Sequence, residues 1–547
     1  MVSFENRAQI PSEKFYLTTA IAYLNGPPHV GHAYEFATAD VISRYHEIAG
    51  RDVHFVTGSD EHGQKVENMA TANNVTPQEW CNKTVNYFKT LNARLDLGEH
   101  TYIRTTDKHH EAFAQWMWRR VESRGDLYLG SYKGWYNVKE EAYVTDREAE
   151  SHGYKNPETG IPYEQRDEEA YFFRMSKYHK QVEDLIRDTD FVQPASRRNE
   201  LLQRLEKAPL EDLCVSRVNL KWGIPVPDND KHVMYVWFDA LSNYLSAIRY
   251  NEDDSPTKKY WPAACHLIGK DITWFHCVIW PAMLLSAELP LPKVVYGHGF
   301  VQACDGSKMS KSLNNVVSPM ETLDRVPSDS FRYYLVREGH YGQDIRFNPP
   351  ALVDMHNSDL CATFGNLLHR VVALAVKYED GQIPDIFAPE KGIENATQGD
   401  MTQGEHKRVD AAQVDGVKDE VVDFVTAFNE AETAMHNYAL ENLANVGISL
   451  CRDINKYLTD AAPWKIKDDP EKRATVIRKS LEGIYIAAHF LYPVIPQGAG
   501  TVFKRLATPP KKLYQLDPRI NLTTGTVLEP GEVLYAVLPV DILEKTA

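Results

Sequence analysis

Two histidines near the N-terminus, His29 and His32, follow a chain break at Asn25-Gly-Pro-Pro28 and open a stretch of helical composition that ends at Gly50. The start of a helix offers free N–H groups and the positive end of the helix dipole, which together favour an anion. Imidazole N–H groups there would add donors to phosphate oxygens. Gly31 would let a flat ligand approach the backbone. The alternative is a pair of loop histidines bonded to water, and this tetrapeptide alone does not decide.

A second segment with chemical potential is Asp305-Gly-Ser-Lys-Met-Ser-Lys-Ser312. Lys308 and Lys311 place two ammonium groups within four positions of a glycine-containing loop. Such a loop can close over a triphosphate and neutralise the charge that builds on a leaving pyrophosphate. A solvated basic loop is the alternative. Its position weighs against that alternative, because the histidine turn follows the first predicted strand and this loop follows the last.

The elements that must position these groups are buried strands alternating with helices. Apolar and β-branched runs predict strands at 15–22, 52–57, 233–238, 266–269 and 294–301. Polar clusters follow two of them, with Asp60 and His62 after one and Lys270 and Asp271 after another. Open α/β sheets bind ligands at the carboxyl ends of their strands, although solvated turns would look the same. Asp239 stands where an N-cap of the next helix is predicted.

The length of 547 residues predicts two to four domains. Residues 127–136 are aromatic and punctuated by glycine, 151–167 are polar, and a helix-rich stretch follows to about residue 227, which together indicate an insertion at 118–231 in the α/β domain. From residue 340 the pattern is helical, and one apolar face repeats at Leu443, Gly447, Leu450, Ile454 and Tyr457.

Composition excludes several classes of protein. A formal net charge of −16 argues against holding nucleic acid by bulk attraction, although a specific RNA contact stays possible. Seven scattered cysteines form no Cys-x-x-Cys pair, so a disulfide framework is not predicted. The N-terminus has no apolar core typical of a signal peptide, and no uninterrupted apolar run reaches the length of a membrane span. We therefore expect a cytoplasmic protein that does not enter a membrane.

Taken together, His29-Val-Gly-His32 and Lys308-Met-Ser-Lys-Ser312 resemble the paired signatures of class I aminoacyl-tRNA synthetases. Intervening segments narrow the resemblance to the methionyl-tRNA synthetase family: Ala22-Tyr-Leu-Asn-Gly26, Gly58-Ser-Asp-Glu-His-Gly63, Tyr235-Val-Trp-Phe-Asp-Ala240 and Ile268-Gly-Lys-Asp-Ile272 with Phe275-His276. The resemblance runs from about residue 15 to residue 464 and is specific only as a combination.

The resemblance implies an α/β fold, with a Rossmann-like parallel-sheet catalytic domain split by an inserted connective domain and followed by an all-α helical-bundle anticodon-binding domain. On this basis we predict the first catalytic half at 1–117, the insertion at 118–231, the second catalytic half at 232–303, the Lys-Met-Ser-Lys-Ser loop with a stem-contact region at 304–355, and the anticodon domain at 356–547.

The implied activity is that of a methionine–tRNA ligase, which forms methionyl-adenylate and pyrophosphate from methionine and ATP and then transfers methionyl to the 3′ end of tRNA(Met). The implied methionine pocket comprises Ile21, Tyr23, Asp60, Trp237, Ala240, Leu241, Tyr244, Phe275, His276 and Trp280. Aromatic walls suit an uncharged thioether, and Asp60 would pair with the α-ammonium. Tyr244 or His276 would add a polar contact to sulfur. A purely structural interpretation makes these aromatics core.

The implied ATP site comprises His29, Gly31, His32, Gly269, Asp271, Lys308 and Lys311, with His29, His32, Lys308 and Lys311 as its catalytic members. The methionine carboxylate itself attacks the α-phosphate, so the protein positions groups and stabilises charge. Mg²⁺ would arrive with ATP and be held mostly by phosphates. Asn366, Arg370 and Trp464 would read the CAU anticodon, unless they serve only the helical bundle.

Many members of this family carry cysteine-ligated zinc in a knuckle of the insertion. Residues 131–167 contain no cysteine, so no zinc is predicted, and Tyr132, Trp135 and Tyr136 are expected to support the knuckle by packing. The predicted partners are methionine, ATP and tRNA(Met), and the predicted state is a monomer. Three other hypotheses remain: a synthetase for another small apolar or sulfur amino acid, a non-catalytic tRNA-binding paralogue, and a nucleotidyltransferase.

Overall fold

A computed structural model gives the fold and describes residues 3–138, 142–144, 146–157, 159–218, 220–307, 309, 315–386 and 421–543. The predicted catalytic residues Lys308 and Lys311 lie outside the described residues. For their loop, the structure therefore provides information mainly on the residues that flank it.

The first part of the chain forms strands and helices in alternation after a short 3₁₀ helix at Phe4–Ser12. The strands are β1 (Lys14–Thr19), β2 (Ala22–Tyr23), β3 (Asp52–Asp60) and β4 (Thr101–Arg104). The helices are α1 (Val30–Ala49), α2 (Gln64–Ala72), α3 (Pro77–Arg94) and α4 (Lys108–Ser123). The strand predicted at 15–22 is divided in two, because β1 pairs with β3 along its length whereas β2 pairs only with the end of β3.

Helix α1 confirms the prediction of a helix between the histidine turn and Gly50. It is buried along most of its length, since Val30, Tyr34, Val41 and Tyr45 are all inaccessible. Gly50 caps it with a φ of 108°, a left-handed conformation that favours glycine.

The next part of the chain forms two small antiparallel sheets. Its elements are β5 (Leu127–Asn137), β6 (Ala142–Val144), α5 (Asp146–Ser151), β7 (Glu164–Phe173), α6 (His179–Asp188), β8 (Val192–Gln193), α7 (Ala195–Lys207), β9 (Leu213–Cys214), β10 (Ser216–Arg217), β11 (Pro225–Val226) and β12 (Asn229–Met234). The sheet orders are β6-β5-β7-β9 and β10-β12-β11. Strand β8 instead joins the main sheet, so the predicted insertion returns to that sheet before residue 231.

The α/β pattern then resumes with α8 (Val236–Leu241), α9 (Asn243–Ser246), β13 (Cys265–Gly269), a π-helical stretch (Phe275–Ile279), α10 (Trp280–Ser286), β14 (Val295–His298), β15 (Val301–Gln302), α11 (Pro319–Leu323), α12 (Ser328–Arg337) and β16 (Ile345–Arg346). Two expectations were wrong here. The strand predicted at 233–238 ends at Met234, and helix α8 begins at Val236, so Asp239 is not its N-cap. Strand β12 lies in a small antiparallel sheet, where the apolar run continues directly into a buried helix.

The main sheet has seven strands within the described residues, in the order β2-β3-β1-β13-β14-β8, with β4 beside β3. Its pairs are all parallel. The carboxyl ends of its strands therefore lie on one edge and carry Tyr23, Asp60, Gly269 and His298. This confirms the predicted parallel-sheet α/β class.

The C-terminal part is helical from residue 349, later than the predicted residue 340, because Ile345–Arg346 forms β16 and pairs with β15. It contains α13 (Pro349–Met355), a π-helical stretch (His356–Gly365), α14 (Asn366–Tyr378), α15 (Phe424–His436), α16 (Leu440–Ala461), a 3₁₀ turn (Pro463–Lys465), α17 (Pro470–Leu491) and α18 (Pro496–Arg505). The continuous helical stretch Pro349–Tyr378 is long and apolar enough to cross a membrane, but 56% of its apolar window is buried inside the protein. That burial is typical of a core helix.

Gly447 allows α16 and α17 to pack closely. A Cβ at this position would lie 2.5 Å from Leu491 Cγ, whereas a Cβ at Gly500 in α18 would meet nothing within 4 Å. We predict that Gly447→Ala lowers the free energy of unfolding by about 1–3 kcal/mol through overpacking. The matched Gly500→Ala should be neutral or stabilise by up to about 1 kcal/mol, because alanine favours a helix. Denaturant unfolding of both variants measures this, and equal stabilities would contradict the close packing.

Candidate functional site

The two histidines of the turn cap helix α1 together. The Gly31 N–H donates to His29 Nδ1 at 3.1 Å, and the His29 N–H donates to His32 Nδ1 at 3.1 Å. The ring centroids are 3.9 Å apart. Because both Nδ1 atoms accept, each neutral ring carries its proton on Nε2. Burial and the neighbouring His29 ring hold the pKa of His32 well below its usual value, so His32 is a neutral donor.

Gly31 is required by the capping geometry. A Cβ there would lie 2.9 Å from His29 Cε1, so a side chain would displace the ring from the helix end. The space beside Gly31 is therefore taken by His29. This physical reason for the glycine differs from the expected approach of a flat ligand.

Glu35, on the next turn of α1, connects the turn that carries His29 and His32, here called the histidine corner, to the end of β14. Its Oε2 lies 2.9 Å from His298 Nε2, and both residues are largely buried. Burial raises the pKa of Glu35 against the lowering effect of His298. Burial opposes charge on His298, but Glu35 raises the pKa of that imidazole above its ordinary value. Sequence reasoning missed this pair, although Glu35 shares the face of His32 at i+3.

The strand end beside His298 carries two residues predicted for the ATP site, Gly269 and Asp271. Gly269 ends β13 opposite His298 in the sheet register, and Asp271 follows in a 3₁₀ turn. A Cβ at Gly269 would lie 2.8 Å from Asp271 Oδ1, so the glycine leaves room for that carboxylate. Asp271 is exposed at the sheet edge. Its charge also contributes to the raised pKa values of Glu35 and His298, which places it near both.

The segment that follows residues 305–312, here called the lysine loop, contacts the histidine corner. The Val30 N–H, at the first position of α1, donates to the Val317 carbonyl at 3.2 Å. On the N-terminal flank, β15 pairs with β16, and Asp305 Oδ1 accepts from the Ser307 N–H at 2.8 Å. The C-terminal flank of this loop thus contacts the start of α1, where His29 and His32 lie.

Residues from three segments assemble an aromatic cluster at the same edge. One apolar cluster contains six of the ten residues predicted for the methionine pocket: Ile21, Trp237, Leu241, Tyr244, Phe275 and Trp280. Trp237 and Phe275 stack with centroids 3.8 Å apart and are only partly buried. Ala240 is buried on α8 beside them. This arrangement provides partly open aromatic surface, as a ligand with a thioether side chain would need.

A hydrogen-bonded pair lies against this aromatic wall. Tyr244 Oη lies 2.6 Å from His276 Nε2, and His276 Nδ1 lies 2.9 Å from the Ile272 carbonyl. Because the carbonyl can only accept, Nδ1 carries the proton and Tyr244 donates to Nε2. Burial lowers the pKa of His276 to about 4, so the ring is neutral at physiological pH. Trp280 is fully buried behind the pair and donates to His266 Nε2 at 3.3 Å.

Asp60 lies at the end of β3, across from Tyr23 on β2, and both are half-buried. The Leu24 N–H donates to the Asp60 carbonyl at 3.1 Å and holds this backbone in place. A carboxylate beside an apolar, aromatic surface can bind an ammonium group. His62, expected to line the same crevice, is instead buried with 4% of its surface exposed.

The predicted anticodon residues come together on the helical domain. Asn366 begins α14 and is exposed, and Trp464 is 40% exposed in its 3₁₀ turn. The Arg370 guanidinium lies 5.9 Å from the Trp464 ring centroid and donates to Asn455 Oδ1 at 3.0 Å. An exposed indole beside a guanidinium offers a stacking surface for unpaired bases, which a core tryptophan would not.

The knuckle region does not fit a cysteine-ligated zinc, because residues 131–167 hold no cysteine. Within the part of the chain that the structure describes, no group of three His, Cys, Asp or Glu residues is placed to hold a metal ion. Trp135 packs instead against Tyr154, with centroids 4.7 Å apart, and against a small cluster that includes Tyr163. Tyr136 is buried. The side chain of Tyr132 lies outside the described residues.

Two family models match the chain. The model described as "tRNA synthetases class I (M)" matches residues 15–372, and that described as "Anticodon binding domain of methionyl tRNA ligase" matches residues 408–543. Methionine–tRNA ligase of Listeria monocytogenes is 40% identical and aligns with 97% of this chain and 79% of its own length. The Brucella suis enzyme of the same name is 38% identical, with 96% of this chain and 98% of its own length aligned.

Solved structures agree with these relatives. Mycobacterium tuberculosis methionyl-tRNA synthetase in complex with methionyl-adenylate superposes with a TM-score of 0.84 at 33% identity, over 96% of this chain and 99% of its own. The apo form of that enzyme gives a TM-score of 0.78 at 31% identity, over 96% of this chain and 98% of its own. With the histidine corner, the aromatic cluster and the helical domain in place, the chain belongs to the methionyl-tRNA synthetase family of class I tRNA synthetases, the family of methionine–tRNA ligases.

Proposed function

We propose that this chain activates methionine with ATP at the carboxyl edge of its parallel sheet and then transfers methionyl to the 3′ end of tRNA(Met). The observation that carries the proposal is the convergence of the paired histidines at the start of α1, the aromatic cluster and Asp60 on this one edge. It is supported by the family match and by the relative bound to methionyl-adenylate.

For the first step, we propose that His29 and His32 donate Nε2–H hydrogen bonds to the phosphates of ATP. Their Nδ1 atoms are occupied by backbone N–H groups, so the outward nitrogens are fixed as donors. Asp271 and the backbone at Gly269 would hold the ribose. Lys308 and Lys311 would neutralise the charge on pyrophosphate as the methionine carboxylate attacks the α-phosphate and the α–β phosphate bond breaks.

For amino-acid choice, we propose that Asp60 binds the α-ammonium and that the aromatic cluster encloses the side chain. Tyr244 and the neutral His276 offer a polar edge to the sulfur without placing a charge beside it. The remaining members, Ile21, Tyr23, Ala240, Leu241 and Trp280, would shape the wall. The intact His29, His32, Lys308 and Lys311 argue against a non-catalytic paralogue. A nucleotidyltransferase would not need the long helical C-terminal part.

For tRNA, we propose that Asn366, Arg370 and Trp464 bind the CAU anticodon by hydrogen bonds and stacking. We further propose that Mg²⁺ enters with ATP and that the knuckle functions without zinc. We also propose that the chain acts as a cytoplasmic monomer and does not enter a membrane; the burial of its longest apolar helical stretch, Pro349–Tyr378, supports the last of these. The domain boundaries given above stay a prediction.

The deciding experiment is ATP–pyrophosphate exchange with a panel of amino acids. Methionine should support exchange, and leucine, valine and cysteine should support it far less, because they fill the aromatic pocket less well or lack the thioether. Exchange with leucine, valine or cysteine but not with methionine would overturn the assignment. Absence of exchange with any amino acid would favour a non-catalytic paralogue.

Lys311→Ala should lower the rate of methionine activation by on the order of a hundredfold or more, with methionine binding nearly unchanged, because the ammonium acts on charge that develops only in the transition state. Exchange kinetics and a methionine titration measure the two effects. Lys83→Ala removes an exposed lysine of α3 and serves as the control. Equal loss of activation and methionine binding would contradict the role.

Trp464→Ala should leave exchange unchanged and raise the KM for tRNA by roughly tenfold, because a stacked base contributes about 1–3 kcal/mol. Aminoacylation with tRNA(Met) measures it. Tyr87→Ala, which removes a 47% exposed ring of α3, should change neither reaction. Loss of exchange in Trp464→Ala would indicate a structural residue instead.

A further inference from the structure

A buried carboxylate behind the pocket joins two histidines from different elements. Asp239, on α8, is 1% exposed. Its Oδ2 lies 2.6 Å from His62 Nδ1, and its Oδ1 lies 2.7 Å from His110 Nε2. Burial opposes ionisation, but the two imidazoles hold the pKa of Asp239 below its usual value. An ionised carboxylate only accepts, so both rings donate to it.

Each group in this cluster is attached to a wall of the proposed pocket. His62 follows Asp60 by two residues, and Asp239 follows Trp237 by two. His110 lies on α4, and its Nδ1 is 2.7 Å from Ser246 Oγ. Ser246 lies on α9, the helix that also carries Tyr244. The carboxylate thus connects the strand end that bears the ammonium partner to the helices that bear the aromatic wall.

The chain between Asp60 and His62 is also fixed. Glu61 is fully buried and accepts from Arg104 at 2.7 and 2.8 Å and from Thr106 Oγ1 at 2.6 Å. With Glu61 held on one side and His62 on the other, this loop has little freedom to move Asp60. Because Asp60 is held in place, a movement of Asp239 would shift Trp237, two residues before it on the chain. The distance from Asp60 to the aromatic wall would then change.

We propose that Asp239 is a positioning residue for amino-acid selection, which holds Asp60 and Trp237 at the separation that the ammonium and side chain of methionine span. The inference rests on the proposed function, since it takes the cluster as the methionine pocket. Asp239 touches no substrate and acts through its two histidines. Displacing a positioned group by about 1 Å can cost on the order of a hundredfold in rate.

The test is Asp239→Asn in the full-length chain, assayed by exchange without tRNA. An amide keeps the shape, but its Nδ2 can only donate, so one imidazole must change from donor to acceptor and the bridge of one carboxylate between two donors is lost. We expect the KM for methionine to rise by about tenfold or more while the KM for ATP stays within about twofold. Ser246→Ala leaves the Asp239–histidine contacts in place and removes the hydrogen bond from Ser246 to His110, together with a local bond to the Asn243 carbonyl. It should raise the methionine KM a few-fold, which keeps the test available if the first variant does not fold.

The matched control is Asp359→Asn, another buried carboxylate, which accepts from Tyr333 and Arg452 away from the sheet edge. It should leave the methionine KM unchanged. The inference is overturned if Asp239→Asn leaves the methionine KM unchanged, as the control should, or raises the KM for methionine and the KM for ATP equally. Failure of the unaltered protein to exchange with methionine would overturn the proposed function instead, so the two failures are distinguishable.

Discussion

Helix α1 is held at both ends, and the placement of the site depends on this constraint. At its N-terminus the paired histidines occupy the free N–H groups of the first turn. Further along, the buried Asp40 lies 2.7 Å from the fully buried Arg332, which also donates to the Val494 carbonyl in the helical domain. Tyr45 donates to the buried Glu432 at 2.7 Å. Because unpaired buried charges are costly, these contacts fix the helix against both the sheet and the helical domain.

The parallel sheet brings the residues of the site together beside helix α1. Parallel strands bring their carboxyl ends to one edge, and this edge receives groups that are far apart along the chain. Glu35 and His298 meet there although they are 263 residues apart. The Val30–Val317 hydrogen bond brings the flank of the lysine loop to the same place. A polar, charge-bearing half and an apolar, aromatic half therefore lie next to each other at this edge.

The apolar half is kept free of charge by burial. His276 stays neutral because its imidazole is buried and its two nitrogens are both engaged. The buried carboxylate of Asp239 lies behind the aromatic wall and is hydrogen-bonded to His62 and His110. This separation suits an amino acid that has a charged ammonium and an uncharged, polarisable side chain. In the knuckle, residues 131–167 contain no cysteine that could ligate a metal, and Trp135 packs there against Tyr154 and a small apolar cluster.

The sequence by itself determined the helix from the histidine turn to Gly50, the apolar face of α16, the α/β class and the family, because each depends on local periodicity or on a contiguous signature. It failed at Met234–Val236, where one apolar run serves a strand and then a buried helix. Only the tertiary structure decided the strand order, the Glu35–His298 pair and the Asp239 bridge, whose members lie 177 and 129 residues apart. Periodicity reports neighbours within one element, whereas these contacts arise from how distant elements pack.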